Sequence, residues 1–123
     1  MDAARLLARK LGLDTTGLRI TPIPAGLTNR NYRLDLGDRT FFFRLPGRAT
    51  ELLAVDRENE LFNTRAAAEA GVGPRVLQHD PETGGMLLEW LPGRTMSNAA
   101  FEAPGMPGRI ADVLRRLHAG PRF

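Results

Sequence analysis

A chain of 123 residues with 42% apolar and 25% charged residues has the size and composition of one globular domain, long enough to bury a core without covalent staples. The absence of cysteine excludes a disulfide scaffold, a thiolate metal site and a cysteine nucleophile; no apolar run reaches the roughly 18 residues that span a bilayer, and the first five residues lack a leader-like charged-then-apolar layout. Seventeen basic against 14 acidic residues leave a net charge of only +3, with the acids interleaved among the arginines, so neither a nucleic-acid face nor a membrane-binding face is expected and a cytoplasmic location is.

In chain order, Asp2 can cap a first helix on which Ala3, Leu7 and Leu11 share a stripe, with Gly12 as its stop. Leu18 to Ala25 is strand-like but carries Pro22 and Pro24, which cannot donate to a ladder, so this strand belongs at a sheet edge or at a bulge. Asn31 to Leu36 alternates strictly, placing Tyr32, Leu34 and Leu36 on one face and Asn31, Arg33 and Asp35 on the other. Gly37-Asp38 offers a tight turn, and Thr40 to Leu45 returns as an aromatic-rich strand, completing a three-stranded meander.

Thr50 to Ala70, free of Gly and Pro and followed by Gly71, reads as a long helix, with a break allowed near Ala54 to Asp56. Arg75 to His79 and Met86 to Leu91 flank the turn Asp80 to Gly85 as a second hairpin. Ser97 to Gly105 reads as a connector, and Pro107 as the first residue of a last helix whose Ile110, Val113, Leu114 and Leu117 share a face. This order gives an α+β fold, a five-stranded antiparallel sheet with a packed helix. The last helix has an apolar face with nothing after it to complete a second layer, so the chain is expected to be truncated.

Four segments carry further information: Gly26-Leu27-Thr28-Asn29-Arg30-Asn31-Tyr32, Phe41-Phe42-Phe43-Arg44-Leu45-Pro46-Gly47, Asp56-Arg57-Glu58-Asn59-Glu60, and Leu88-Glu89-Trp90-Leu91-Pro92-Gly93. In this order, over about residues 15 to 120, they resemble the amino-terminal lobe of the choline/ethanolamine kinase and aminoglycoside phosphotransferase family, whose members have a protein-kinase-like fold. The resemblance implies that residues 1–123 are an ATP-binding lobe, with a hinge at about 89–93 and the start of a following helical region at about 97–120. It also implies that the whole protein transfers the γ-phosphoryl of ATP to a hydroxyl of choline, ethanolamine or a related amino alcohol. A free-standing nucleotide- or protein-binding module without catalysis is the alternative.

A bound triphosphate needs a cation at its inner phosphates, itself held by an acidic partner. Arg44, on a strand between aromatics, is such a cation. Glu58 and Glu60, on the next helix, are both within reach of it, and the resemblance matches Glu60. Protein kinases place Lys at the Arg44 position, whereas a guanidinium fork suits phosphate bidentately. Strand alternation puts Phe42 on the face of Arg44, where it would roof the base, and turns Phe41 and Phe43 to the core. The resemblance makes Glu89 and Leu91 hinge residues that bind adenine through their backbone, sets Leu88 behind the base, and gives Thr28 and Asn29 contacts to phosphate. The family's catalytic His-x-Asp has no counterpart here: His79 is followed by Asp80-Pro81 and His118 by Ala119-Gly120. No catalytic residue and no metal ligand is therefore assigned within the chain, and the Mg2+ ligands and acceptor contacts are expected in a missing C-terminal lobe.

Overall fold

The computed structural model describes residues 2–24, 29–47 and 56–122. Helix α1 (Ala3–Lys10) is followed by strands β1 (Arg19–Ile23), β2 (Asn29–Leu36) and β3 (Arg39–Pro46), helix α2 (Arg57–Glu69), strands β4 (Val76–His79) and β5 (Met86–Glu89), and helices α3 (Asn98–Phe101) and α4 (Met106–Ala119). The strands form one sheet in the order β1-β2-β3-β5-β4, with every neighbouring pair antiparallel. The expected α+β architecture is therefore present. β1, with Pro22, is an edge strand, as its missing donor requires.

Register assigns every strand side chain to a face. Tyr32 pairs with Phe43 and Phe43 with Leu87, while Arg33 pairs with Phe42 and Phe42 with Leu88. Leu34, Phe41, Phe43, Leu45 and Leu87 consequently share the face on which Ala4, Leu7 and Ala8 of α1 lie, and these residues with Leu18 make the apolar core. On this first helix the buried stripe is Ala4, Leu7 and Ala8 with Leu11 packed beside it, and Ala3 is exposed. The small side chains let the helix lie close to the sheet. Gly85, at the start of β5, shows how close: a Cβ there would lie 2.3 Å from Leu7 Cδ2.

The hairpin between β2 and β3 closes in two residues, with Gly37 at φ 63°, the positive-φ position of such turns. The turn joining β4 to β5 is organised by Asp80, which is 3% exposed. Its carboxylate accepts from the Thr83 hydroxyl at 2.6 Å and from the Glu82 backbone N–H at 3.3 Å, and pairs with Lys10 of α1 at 3.1 Å. Lys10 also pairs with Glu82. The Thr83 hydroxyl, with help from Lys10, outweighs burial and holds the Asp80 carboxyl below its ordinary value. The Glu82 and Asp80 carboxylates raise that of Lys10.

The described part of the long helix begins at Arg57, with Asp56 as its N-cap accepting from the backbone N–H groups of Glu58 and Asn59; the expected stretch from Thr50 to Val55 lies outside the described residues. Two boundaries differ from expectation. Asn98–Phe101 is a short helix inside the expected connector, capped by Ser97, whose hydroxyl accepts from Ala100 N–H. Met106 rather than Pro107 opens α4, with the proline still in the first turn, where its missing N–H costs nothing. Among the described residues no helix is long and apolar enough to cross a membrane.

Candidate nucleotide-binding cleft

On the opposite face from α1, β3 presents Phe42 and Arg44, and β5 presents Leu88 and Met86 directly across from them. Leu88 and Met86 are 1% exposed, so the sheet surface at this point is a closed apolar floor. A cleft of about 490 Å³ lies over it, lined by Ile23, Phe42, Arg44, Leu88, Glu89 and Leu91, with Trp90 and the Pro92-Thr95 segment completing the wall. The structure thus brings Phe42, Arg44, Leu88, Glu89 and Leu91 to one cavity. Trp90 stands 6.5 Å from Phe42, ring to ring, and the Arg33 guanidinium lies 4.9 Å over the Trp90 ring. These aromatic faces form one side of the slot, and Arg33 supports it by a cation–π contact.

At the inner end, Arg44 Nη1 donates to Glu60 Oε1 at 3.1 Å. This settles the choice between the two helix acids, because Glu58 points to solvent and Glu60, one turn into α2, faces the sheet. Glu60 is held from a second side by Arg57, whose Nη1 donates to Glu60 Oε2 at 2.5 Å and to Asn29 Oδ1 at 2.9 Å. Asn29, the first residue of β2, is thereby linked through Arg57 and Glu60 to Arg44. Thr28 lies outside the described residues.

Both guanidiniums retain capacity. The Nε of Arg44 and the Nε and Nη2 of Arg57 are buried without a hydrogen-bond partner among the described residues, a state that costs free energy unless an acceptor is supplied. An anionic group at the inner end and a flat apolar group in the slot would together match what the residues offer. The Glu89 side of the cleft is arranged differently. Glu89 spends its backbone N–H on the Arg75 carbonyl at 3.0 Å and its carboxylate on the Arg75 backbone N–H and guanidinium at 3.1 and 3.4 Å, so its side chain is turned away from ligand duty. Among the described residues no group of three or more His, Asp or Glu stands where it could share a metal ion.

Arg57 and Trp90 were not singled out from sequence. Arg57 is one arginine among sixteen, and its signal is the Arg-x-x-Glu spacing with Glu60, which brings two side chains together on a helix. Trp90 is the only tryptophan, next to the two expected hinge residues, and that position was its signal.

Residues 19–123 match the phosphotransferase enzyme family. The chain belongs to that family. Among proteins similar to it, the LicA protein of Haemophilus influenzae is 30% identical over 94 residues, which are 76% of this chain and 27% of that protein. Probable choline kinase 2 of Arabidopsis thaliana is 27% identical over 112 residues, 86% of this chain and 31% of the relative. Among solved structures, a choline/ethanolamine kinase family protein from Mesorhizobium loti superposes with a TM-score of 0.66 at 34% identity, over 96% of this chain and 40% of the other. The choline kinase of Cryptosporidium parvum superposes with the same TM-score at 18% identity, over 89% and 32%, a likeness of fold. The chain therefore spans between about a quarter and two-fifths of the length of these relatives.

Proposed function

We propose that this chain is the ATP-binding lobe of a small-molecule kinase that transfers the γ-phosphoryl of ATP to a hydroxyl of choline, ethanolamine or a related amino alcohol, releasing ADP. The observation that carries the reading is the Arg44–Glu60 pair, 3.1 Å long, at the inner end of an apolar slot floored by Leu88 and lined by Phe42 and Leu91, in a chain of a phosphotransferase family. Adenine would lie against Phe42 and Leu88, which are paired across β3 and β5, and meet the backbone of Glu89 and Leu91. Arg44 would face the inner phosphates, and Asn29, with Thr28 beside it in sequence, the outer ones. Residues 89–93 would act as the hinge to the rest of the protein, and the region from about 97 would begin the second lobe.

Phosphoryl transfer depends on positioning and on neutralising charge as it shifts to the leaving group. Arg44 supplies one cation, fixed by Glu60. Mg2+, which the family reading implies, would supply further positive charge to the phosphates when bound; in this proposal its ligands and the group that accepts the hydroxyl proton belong to a second lobe, since among the described residues no group of three or more acidic or histidine side chains could share a metal. The exposed Leu91, Met96, Phe101, Ile110, Val113 and Leu114 supply an apolar surface of the kind that a second lobe covers. A cytoplasmic site of action belongs to the same proposal.

The test uses the single tryptophan in the cleft wall. ATP added to the 123-residue chain should change Trp90 fluorescence saturably but weakly, because half a cleft leaves one side of the phosphates in water, where charge contacts are worth little. Arg44→Met should abolish the change. An ADP-release assay with choline, ethanolamine and aminoglycosides should show no turnover by this chain and magnesium-dependent turnover by a longer chain containing the second lobe. Turnover by the 123 residues alone, lost on Arg44→Ala, would place the catalytic groups here and refute the division of labour.

A further inference from the structure

The Glu60 carboxylate has two oxygens, and the structure gives each to a different arginine: Oε1 to Arg44 and Oε2 to Arg57. A carboxylate facing a single guanidinium takes both donors of one edge side by side. Were Arg57 absent, Glu60 could grip Arg44 in that way and draw its fork toward α2. With Oε2 occupied by Arg57, Arg44 is held through Nη1 alone, and its Nε stays without a partner among the described residues. The same Arg57 Nη1 reaches Asn29 Oδ1 at 2.9 Å, and the arginine's stem lies against the β4–β5 turn, where its Cγ is 3.4 Å from the place a Cβ on Gly84 would take. One side chain thus touches the start of β2, the first turn of α2 and the second hairpin.

We infer that Arg57 is a positioning residue for the phosphate end of the cleft: it keeps Glu60 end-on to Arg44, so that the carboxylate takes one donor of the Arg44 fork rather than a whole edge, and it fixes Asn29 at the start of the neighbouring strand β2. Arg57 acts through these residues, its Nη1 being the atom that reaches both Glu60 and Asn29. The inference rests on the nucleotide reading of the cleft. It predicts that Arg57 matters in proportion to the number of phosphates, because only the phosphate end depends on it.

The experiment follows Trp90 fluorescence while ATP, ADP and AMP are titrated into the 123-residue chain and its Arg57→Met, Arg57→Lys, Asn29→Ala and Arg57→Met/Asn29→Ala variants. Arg57→Met should weaken ATP and ADP by about tenfold, the worth of one charge-assisted hydrogen bond, and AMP by less than about twofold. Arg57→Lys, which keeps a cation beside Glu60, should recover part of the loss. The double variant should lose no more ATP affinity than Arg57→Met alone, since the two residues act as one unit. Equal weakening of all three nucleotides would mean that Arg57 only supports the fold, and additive losses in the double variant would mean that it acts independently of Asn29; either overturns the inference. A wild-type chain that binds ATP while Arg57→Met binds it equally well refutes the inference and leaves the nucleotide reading standing. A wild-type chain that binds no nucleotide removes both.

Discussion

On the α1 side of the sheet, Leu34, Phe41, Phe43, Leu45 and Leu87 meet Ala4, Leu7 and Ala8 in an entirely apolar cluster; on the α2 side the same strands carry Phe42 and Arg44 toward a cleft, and α2 answers with Glu60 and Arg57. The two faces alternate along a single strand, so consecutive residues of β3 serve different ends. α1 buries three of its eight residues against the sheet, whereas α2 buries only Ala66 of its thirteen. The first face is closed and dry, and burial there is worth roughly 25 cal/mol for each Å² of apolar surface. The second is open and half-polar, with arginine donors that have no partner among the described residues, a state that costs free energy unless an acceptor is supplied.

That contrast can be broken at two neighbouring residues. Phe43→Ala, at a fully buried position, should cost about 3–5 kcal/mol of stability, the usual loss for an aromatic truncated in a core, read as a fall in the denaturant midpoint with an unchanged slope. Phe42→Ala, one residue earlier, should cost about 1 kcal/mol, the worth of its contact with Trp90, yet remove the ATP-induced fluorescence change. If Phe42→Ala unfolds the chain as readily as Phe43→Ala, the division of the sheet into a structural and a binding face is wrong.

Between these extremes lies the one buried charge of the described core. Asp80 ties the second hairpin to α1 through Lys10 and closes its own turn through Thr83. Asp80→Ala should cost about 1–3 kcal/mol, because the Thr83 hydroxyl and the Glu82 N–H lose their acceptor. The pH dependence has a definite sign. Since the folded carboxyl titrates below its ordinary value of 3.8, its stabilisation is complete above that value and is lost as pH falls through the lower, folded one. The gap in melting temperature between wild type and Asp80→Ala should therefore be constant above about pH 5 and narrow toward acid. A gap that widened on acidification would contradict the pairing.

Much of this organisation was legible in the residues. The alternation from Asn31 to Leu36 determined the faces of β2, because a period of two admits no other assignment once one side is apolar, and pairing with it fixes those of the aromatic-rich β3. The opposition of Arg44 to a helix acid was legible too: the resemblance matched Glu60 rather than Glu58, and the Arg44–Glu60 pair stands at 3.1 Å. The helix that covers the apolar face was harder to see. α1 is short and covers the sheet mainly with two alanines and a leucine, whose value lies in close approach rather than in hydrophobic bulk. Arg57 was hidden for another reason: its partners are 3 and 28 residues away, and only the fold brings Asn29 to the start of α2. The α3 turn was masked by the Gly and Pro around it, though Ser97 was a usable cap signal.

The smallest effect is expected where the cleft meets the proposed hinge, and it separates backbone from side-chain recognition. Glu89 lines the cleft, so a reading from proximity alone would give its carboxylate a ligand. The structure turns that carboxylate to Arg75 instead, at 3.1 Å from the backbone N–H and 3.4 Å from Nε, with the Arg75 side chain 73% exposed. Such a pair is worth about 0.5 kcal/mol or less, because solvent screens it and two long side chains must be ordered to make it. Glu89→Ala should therefore shift stability by no more than that and leave ATP affinity within about twofold, since a main-chain carbonyl survives the substitution. Proline at the next hinge position, Trp90→Pro, would alter the backbone itself but also delete the fluorescent probe, so Leu91→Pro is the informative partner: it removes the N–H proposed to meet adenine and should abolish the ATP response that Glu89→Ala preserves. A strong loss of ATP binding in Glu89→Ala, with Leu91→Pro unaffected, would reverse the assignment and make the hinge a side-chain site.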